Sequence, residues 1–368
     1  RAISWPSSIM RHSTSSSAEG SVFGLTASSA DPSGGTVIYS LADSAGGRFA
    51  IDSSTGVVSI ANASLLDHDS AISHSLTVVA TDAGGLTASA IFTVNVINAA
   101  PLTPVDDNSA SNSVAEGAAA GTLVGVTAGS SDPAGGTVSY SLSNSAGGRF
   151  AIDGTTGVVT VAAGSLLNHD AATSHSLTVV ATDASGATSS ASFTINVTNV
   201  APSLPADINA SANSVPEGAA SGTVVGLTAR SNDPAGGTLV YSLSNNAGGR
   251  FSIHSSSGVV TVTDGSLLNH DAATSHSVTV VATDAGGLTS NSTFSIAVAN
   301  AAPSVASDAD STANEVDEGA AAGTIVGVTA SSSDPSGGTV TYSLADSADG
   351  RFTINGNTGV ITVADGSL

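Results

Sequence analysis

The chain has no cysteine and no lysine, and only 4% of its 368 residues are aromatic. Without Cys, neither a disulfide frame nor a thiolate metal site is open to it. Seven Arg face 29 acidic residues, a formal net charge of −22. That excess disfavours nucleic acid and anionic membranes as partners, because both would repel it, and it suits divalent cations. No apolar run reaches the roughly 18 residues needed to span a membrane. The apolar patch Ala2 to Met10 is interrupted by Pro6 and does not read as a signal peptide. There is no Gly-x-Ser-x-Gly elbow and no phosphate-binding Gly loop. Ser, His and Asp abound, but they recur in every unit, as catalytic groups rarely do.

What is present is Gly (41 residues) with abundant Ser, Thr, Ala and Val, a composition of β-structure with many turns. Internal repetition is the strongest signal. Gly-Arg-Phe recurs at Arg48, Arg149, Arg250 and Arg351, and Asp-Pro at Asp31, Asp132, Asp233 and Asp334, each 101 residues from the last. His-Asp recurs at Asp69, Asp170 and Asp271, Ala-Thr-Asp at Asp82, Asp183 and Asp284, and Ala-Pro at Pro101, Pro202 and Pro303. Glu-Gly falls at Glu19, Glu116, Glu217 and Glu318; its first interval is 97, which reads as four residues missing just after Glu19. These periods set a segment 1–17 that matches no other linker, three repeats at 18–101, 102–202 and 203–303, and a partial fourth at 304–368.

In the third repeat, alternating and β-branched stretches predict seven strands, near 214–215, 223–229, 238–243, 250–253, 258–263, 276–283 and 290–299. Turn sequences separate them, such as Asp233-Pro-Ala-Gly-Gly and Ala247-Gly-Gly. Seven short strands in about 100 residues, with no helical period, indicate a Greek-key β-sandwich. The fold class is therefore all-β, a tandem array of immunoglobulin-like seven-stranded sandwiches with no helices of note. The inward set includes Val225, Leu227, Val240, Tyr241, Phe251, Val260, Val278, Val280 and Ile296. Val240 and Tyr241 are adjacent, so a regular strand can turn only one of them inward. The Pro-containing segment 199–214 reads as a short linker, so the repeats should follow one another as beads on a rod. Leu368 corresponds to Leu267, so the fourth unit lacks its last two strands. Either the chain is a fragment, or a neighbouring chain fills the gap.

The motifs come in a familiar order. Glu-Gly is followed by Asp-Pro-x-Gly-Gly-Thr-Val-x-Tyr-Ser-Leu, Arg-Phe-x-Ile, Leu-Leu-(Asp/Asn)-His-Asp, Val-Val-Ala-Thr-Asp and Asn-x-Ala-Pro. Over residues 18–368 this resembles cadherin repeats, and more closely the cadherin-like repeats of large bacterial surface and biofilm adhesins. The resemblance implies Ca²⁺ at each junction between repeats. Junction 1/2 would draw on Glu19, Asp67, Asp69 and Asn98, with Asp132 and Asp183. Junction 2/3 would draw on Glu116, Asn168, Asp170 and Asn199, with Asp233 and Asp284. Junction 3/4 would draw on Glu217, Asn269, Asp271 and Asn300, with Asp334. Ca²⁺ takes six to eight oxygens from carboxylates, amides and carbonyls, so the residue types suit it. The sequence departs from the family pattern in the reduced Asn-x-Ala-Pro linker, the single Asp before Pro, and Asn for Asp at Asn168 and Asn269. Fewer carboxylates imply one or two ions per junction.

Asp and Asn beside Gly and Pro also serve as turn residues, which leaves a second role open for Asp132 and Asp233. The histidines next to the carboxylates (His68, His169, His270) and at the following strand (His74, His175, His276) could bind Zn²⁺ or make single hydrogen bonds. The repeat arginines should pair with carboxylates of their own domain. Asn-x-Ser/Thr sequons stand at Asn62, Asn196, Asn209 and Asn291.

The expectation is a non-enzymatic extracellular or cell-surface protein, a calcium-stiffened rod in an adhesin or biofilm-matrix stalk. Its partners would be neighbouring repeats of the same or adjacent chains, with surface glycans or proteins unknown and no membrane span. A self-assembling fibre or sheath subunit is the alternative, its fourth unit completed by a strand from residues 1–17 carrying Ile3, Trp5 and Ile9. A carbohydrate-binding or enzyme-accessory module fits least, with one Trp and four Tyr.

Overall fold

Alternation of side chains drives each of the first three repeats into two facing sheets. The computed structural model describes Ser13–Thr14 and residues 18–368; Ile3, Trp5 and Ile9 lie outside the described residues. The chain divides into two compact units, Arg1–Thr198 and Asn199–Leu368.

The second repeat shows the pattern in full. Its strands are β1 (Val105–Asp106), β2 (Ser113–Ala115), β3 (Leu123–Gly129), β4 (Ser139–Asn144), β5 (Phe150–Ile152), β6 (Val158–Val161), β7 (Ser174–Thr182) and β8 (Thr188–Thr198). One sheet has the order β5-β6-β3-β1, the other β4-β7-β8-β2. The two pieces of the first strand serve different sheets: β1 runs antiparallel to β3, whereas β2 runs parallel to β8 with Ser113 opposite Asn196. Three-residue 3₁₀ turns such as Gly164–Leu166 are the described helices.

On β7, Leu177, Val179 and Ala181 are fully buried and alternate with half-exposed neighbours. Leu177 and Val179 meet Val124, Val126, Val159, Val161 and Ile195 from the other strands in one core. Burying each Val or Leu contributes about 1.5–3 kcal/mol. Gly125 bends β3 at a bulge between Leu123 and Thr127, with φ of 87°. A Cβ there would lie 2.2 Å from the Ser111 carbonyl oxygen, so only glycine fits.

The third repeat has the same two four-stranded sheets. All seven expected strands form, with ends shifted by one or two residues. An eighth, Ala206–Asp207, lies inside the stretch read as linker and pairs with Ala229–Arg230. Tyr241 is 8% exposed and Val240 57%, so Tyr241 is the inward member of that pair. Val215, Ala229 and Ala282 join the core as well.

The first repeat shows where the Glu-Gly spacing misleads. Gly20 N–H donates to Ile60 O, as Gly121 N–H donates to Val161 O. Glu19 therefore stands in the place of Ala120, the interval of 101 holds, and no residues are missing after Glu19. The fourth repeat forms one sheet, of Ser307–Asp308, Ile325–Ser331, Val360–Val363 and Phe352–Ile354. Residues 341–346, the counterpart of β4, form no strand, because the described residues include no equivalent of β7 beside them. Phe352 is left half-buried where Phe251 is buried.

Candidate functional site

Where the first two repeats meet, the chain brings four of the expected residues to one cavity of about 360 Å³: Asp67, Asp69, Asn98 and Asp132. The Asp67-His-Asp69 turn follows the 3₁₀ element Ala63–Leu65. Asp67 closes that turn itself, its Oδ1 accepting from Asp69 N–H at 2.9 Å and its Oδ2 from the Ser70 hydroxyl. Those bonds, the Ser70 hydroxyl foremost, hold its carboxyl below the usual range. Asp69 differs. Both of its carboxylate oxygens are shielded from solvent and have no hydrogen-bond partner among the described residues.

Asp132 belongs to the Asp-Pro-x-Gly-Gly turn, where Oδ1 accepts from Ala134 N–H at 2.7 Å. A Cβ on Gly136 would lie 2.8 Å from Asp69 Oδ2 and 3.5 Å from Asp132 Cγ. Glycine at this position is what lets the two carboxylates approach. Asn98 Nδ2 donates to Asp183 Oδ2 at 3.0 Å, while Asp183 Oδ1 accepts from Ala187 N–H at 2.8 Å. His68 Nδ1 lies 3.0 Å from the Ser185 hydroxyl. Glu19 is exposed and does not join this group; Ala18 lines the cavity instead.

The middle set falls in two units. In the first, Glu116 is 2% exposed and its Oε2 accepts from His169 N–H at 2.9 Å. Asn168 Oδ1 accepts from Ala171 N–H at 2.9 Å, so its amide oxygen closes the turn. Asp170 repeats the state of Asp69, with both oxygens shielded and unpartnered. In the second unit, Asn199 Nδ2 donates to Asp284 Oδ2 at 3.2 Å, and its Oδ1 is shielded without a partner. Asp233 Oδ1 accepts from Ala235 and Gly237 N–H at 2.8 and 3.1 Å, leaving Oδ2 shielded and unpartnered.

The last set lies wholly in the second unit. Glu217, 2% exposed, accepts from Ala301 N–H at 2.8 Å through Oε1, and from His270 N–H at 3.0 Å and Ser336 Oγ at 2.6 Å through Oε2. Ser336 Oγ also lies 2.7 Å from Asp334 Oδ1; its one proton serves either carboxylate in turn, and the hydroxyl sits between carboxylates of consecutive repeats. The Ser336 hydroxyl is the first cause that holds both carboxyls below their ordinary range. A Cβ on Gly338 would meet Asp271 Oδ2 at 2.8 Å and Asp334 Cγ at 3.0 Å. Asn269 Oδ1 closes its turn on Ala272 N–H. Asp271 and Asn300 are exposed.

Among the described residues, no three His, Asp or Glu side chains stand together as a metal-holding group. Carboxylates come in pairs, and any further oxygens would be amide or backbone oxygens. Arg48, Arg149 and Arg250 meet carbonyls and not the expected carboxylates, while Arg351 meets both. Arg149 Nε donates to Leu166 O at 2.9 Å and a terminal nitrogen to Ala146 O at 2.8 Å. They clasp a loop in which Ala146 is held at φ 54°. The one described ion pair is Arg351 with its neighbour Asp349, at 3.3 Å. His175, beside Phe150, has a shielded, unpartnered Nε2. Burial and then the Arg149 charge push its imidazole below the usual range.

Tandem Greek-key sandwiches, with carboxylates gathered where repeats meet, define a β-sandwich repeat protein. The cadherin domain family matches residues 12–97, 110–198 and 212–299. The chain belongs to the cadherin family. Protocadherin Fat 4 of Mus musculus is 30% identical over 281 residues, covering 73% of this chain and 5% of that protein. Cadherin-related family member 1a of Danio rerio is 35% identical over 140 residues, covering 35% of this chain and 16% of that protein. The chain thus spans a small part of these relatives. Among solved structures, mouse Cadherin-23 EC22-24 is 24% identical, covering 81% of this chain and 98% of that one, with a TM-score of 0.34. The protocadherin gammaB7 EC3-6 cis-dimer structure is 21% identical, covering 100% and 92%, with a TM-score of 0.36. The assignment rests on the three domain matches. Cadherin domains are extracellular or cell-surface domains, and this chain is placed with them. No helix is long and apolar enough to cross a membrane among the described residues.

Proposed function

We propose that the chain is a segment of an adhesive stalk in which Ca²⁺ stiffens the junctions between repeats, with repeat bounds at 101/102, 202/203 and 303/304. One observation carries the reading: Asp69 holds two shielded, unpartnered oxygens beside Asp132 of the next repeat. A buried carboxylate without a partner is costly, and a divalent ion is the partner that a pair of carboxylates lacks. Asp69, Asp132 and the Asn98 amide oxygen would hold it at the first junction, and Asp271 and Asp334 at the last, with Glu217 bonded to the backbone beside them. Asp170 in the first unit, and Asn199 and Asp233 in the second, each keep a shielded free oxygen. Bound Ca²⁺ would neutralise the like charges and fix the ligand oxygens relative to one another. Asp67, Asn168 and Asn269 would form the turns that aim the next carboxylate, and Glu19 is left out. One or two ions per junction fits the carboxylate pairs.

The bacterial surface or biofilm setting belongs to this proposal and rests on the sequence resemblance alone; the relatives named above are animal proteins. Calorimetric titration with Ca²⁺, and small-angle scattering in Ca²⁺ and then in chelator, test the reading. Saturable binding and a smaller spread of dimensions in Ca²⁺ are expected. Unchanged scattering and no heat of binding would overturn it. The fibre reading draws on the single sheet of the fourth repeat, with an apolar face that includes Val328, Phe352 and Ile361. A monomer at every concentration in size measurement would exclude it.

A further inference from the structure

Two positions in the third repeat break the near-identity of the repeats: one lines a cavity, and the other holds a turn that walls it. Arg230 occupies the place of Gly129 in the second repeat, and His254 that of Asp153. Arg for Gly adds a positive charge at the cavity, and His for Asp removes a negative one beside its wall. The cavity, about 400 Å³ and open to solvent, lies within the second unit and is lined by Arg230, Asn232, Ser256 and Ser257. His254 Nδ1 accepts from Ser257 N–H at 3.2 Å and so holds the turn that forms one wall. Among the described residues, the Arg230 guanidinium makes no ion pair or hydrogen bond, and neither does the Asn232 side-chain amide. In a chain of net charge −22, an unpaired guanidinium over a cavity stands out.

We propose that this cavity binds a monoanionic sugar, a uronate residue of an acidic saccharide. A guanidinium matches a carboxylate through two parallel hydrogen bonds. The free Asn232 amide and the serine hydroxyls offer donors and acceptors to ring hydroxyls. Ile208, Leu239 and the Tyr241 ring give an apolar wall for the C–H face of a sugar. Asp233 closes one side, with Oδ1 occupied by backbone N–H groups. A fixed negative charge there disfavours a dianion such as phosphate and favours a ligand with a single charge at the Arg230 end. The matching place in the second repeat has no guanidinium and carries the Asp153 carboxylate instead of an imidazole.

The test is calorimetric titration of the full chain in calcium-free buffer, so that it stands apart from the junction ions. The probes are methyl galacturonate glycoside with its single free carboxylate, the uncharged methyl galactoside and inorganic sulfate. Arg230→Gly and His254→Asp restore residues that the second repeat carries in the same fold, so both variants should fold. Expected are binding of the galacturonate probe alone, a loss of about tenfold or more in Arg230→Gly, and a smaller loss in His254→Asp. No binding, equal affinity in wild type and Arg230→Gly, or equal affinity for the uncharged sugar or sulfate would each overturn the proposal.

Discussion

Replacing Asp69 by Asn removes one charge from the first junction while keeping the shape of the side chain. The distances to the Gly136 position place Asp69 Oδ2 no more than about 6 Å from the Asp132 carboxyl carbon. Two unit charges so placed repel by about 3 kcal/mol at an effective dielectric of 20. With part of that screened by solvent, about 1–3 kcal/mol remains. In chelator, Asp69→Asn should therefore stabilise the first two repeats, raising their Tm by several degrees, since 1 kcal/mol shifts a domain of this size by about 4–8 °C. In Ca²⁺ the order should reverse. Wild type gains about 2.7 kcal/mol when the ion is at 100 times its Kd, and the variant, with a ligand carboxylate gone, gains less. Differential scanning calorimetry of the full chain in both buffers reads the crossing. A shift of the same sign and size in both buffers would refute the reasoning, because Asp69 would then be a structural group indifferent to metal.

Arg149→Ala removes both carbonyl bonds of the clasp on Ala146 and Leu166 and should destabilise the second repeat by about 2–4 kcal/mol, with Lys restoring only part; chemical unfolding measures it. Gly125→Ala should destabilise that repeat by at least about 2 kcal/mol, because the new methyl meets the Ser111 carbonyl at a positive φ. The pH dependence follows from His175, whose pKa in the fold lies below that of the unfolded chain. Below about pH 6.5, the unfolded chain then binds more protons than the native one, so stability falls with pH; above about pH 7.5 the contribution is constant. Thermal melts from pH 5 to 8 should show that slope, and Gln at His74, His175 and His276 should flatten it.

The sandwich was legible because its strands are half-buried and alternate, as Leu177, Val179 and Ala181 do. Ala206–Asp207 was not legible, since two residues carry no period. Pairing alone makes them a strand. Glu19 misled because a dipeptide match carries no register; only the bond from Gly20 to Ile60 fixes which loop position it fills. The Arg clasp was hidden for a similar reason. Its partners are carbonyls, which every residue has, so no side chain in the sequence announces them. In the Asp-His-Asp motif, sequence treats both acids alike. The structure separates them, giving Asp67 to the turn and leaving Asp69 unpartnered.

The parallel pairing of β2 with β8 bears on how such a repeat responds to a pull. The chain enters through the two-residue β1, passes into β2 and leaves through β8; β2 and β8 lie side by side in the same direction, with Ser113, Val114 and Ala115 opposite Asn196, Val197 and Thr198. Tension between the two ends slides these strands along each other. Their hydrogen bonds are then loaded together in shear and must give way at once, where an end-on hairpin would peel bond by bond. A short patch of three residues thereby sets the force that a whole domain can bear before its core is touched.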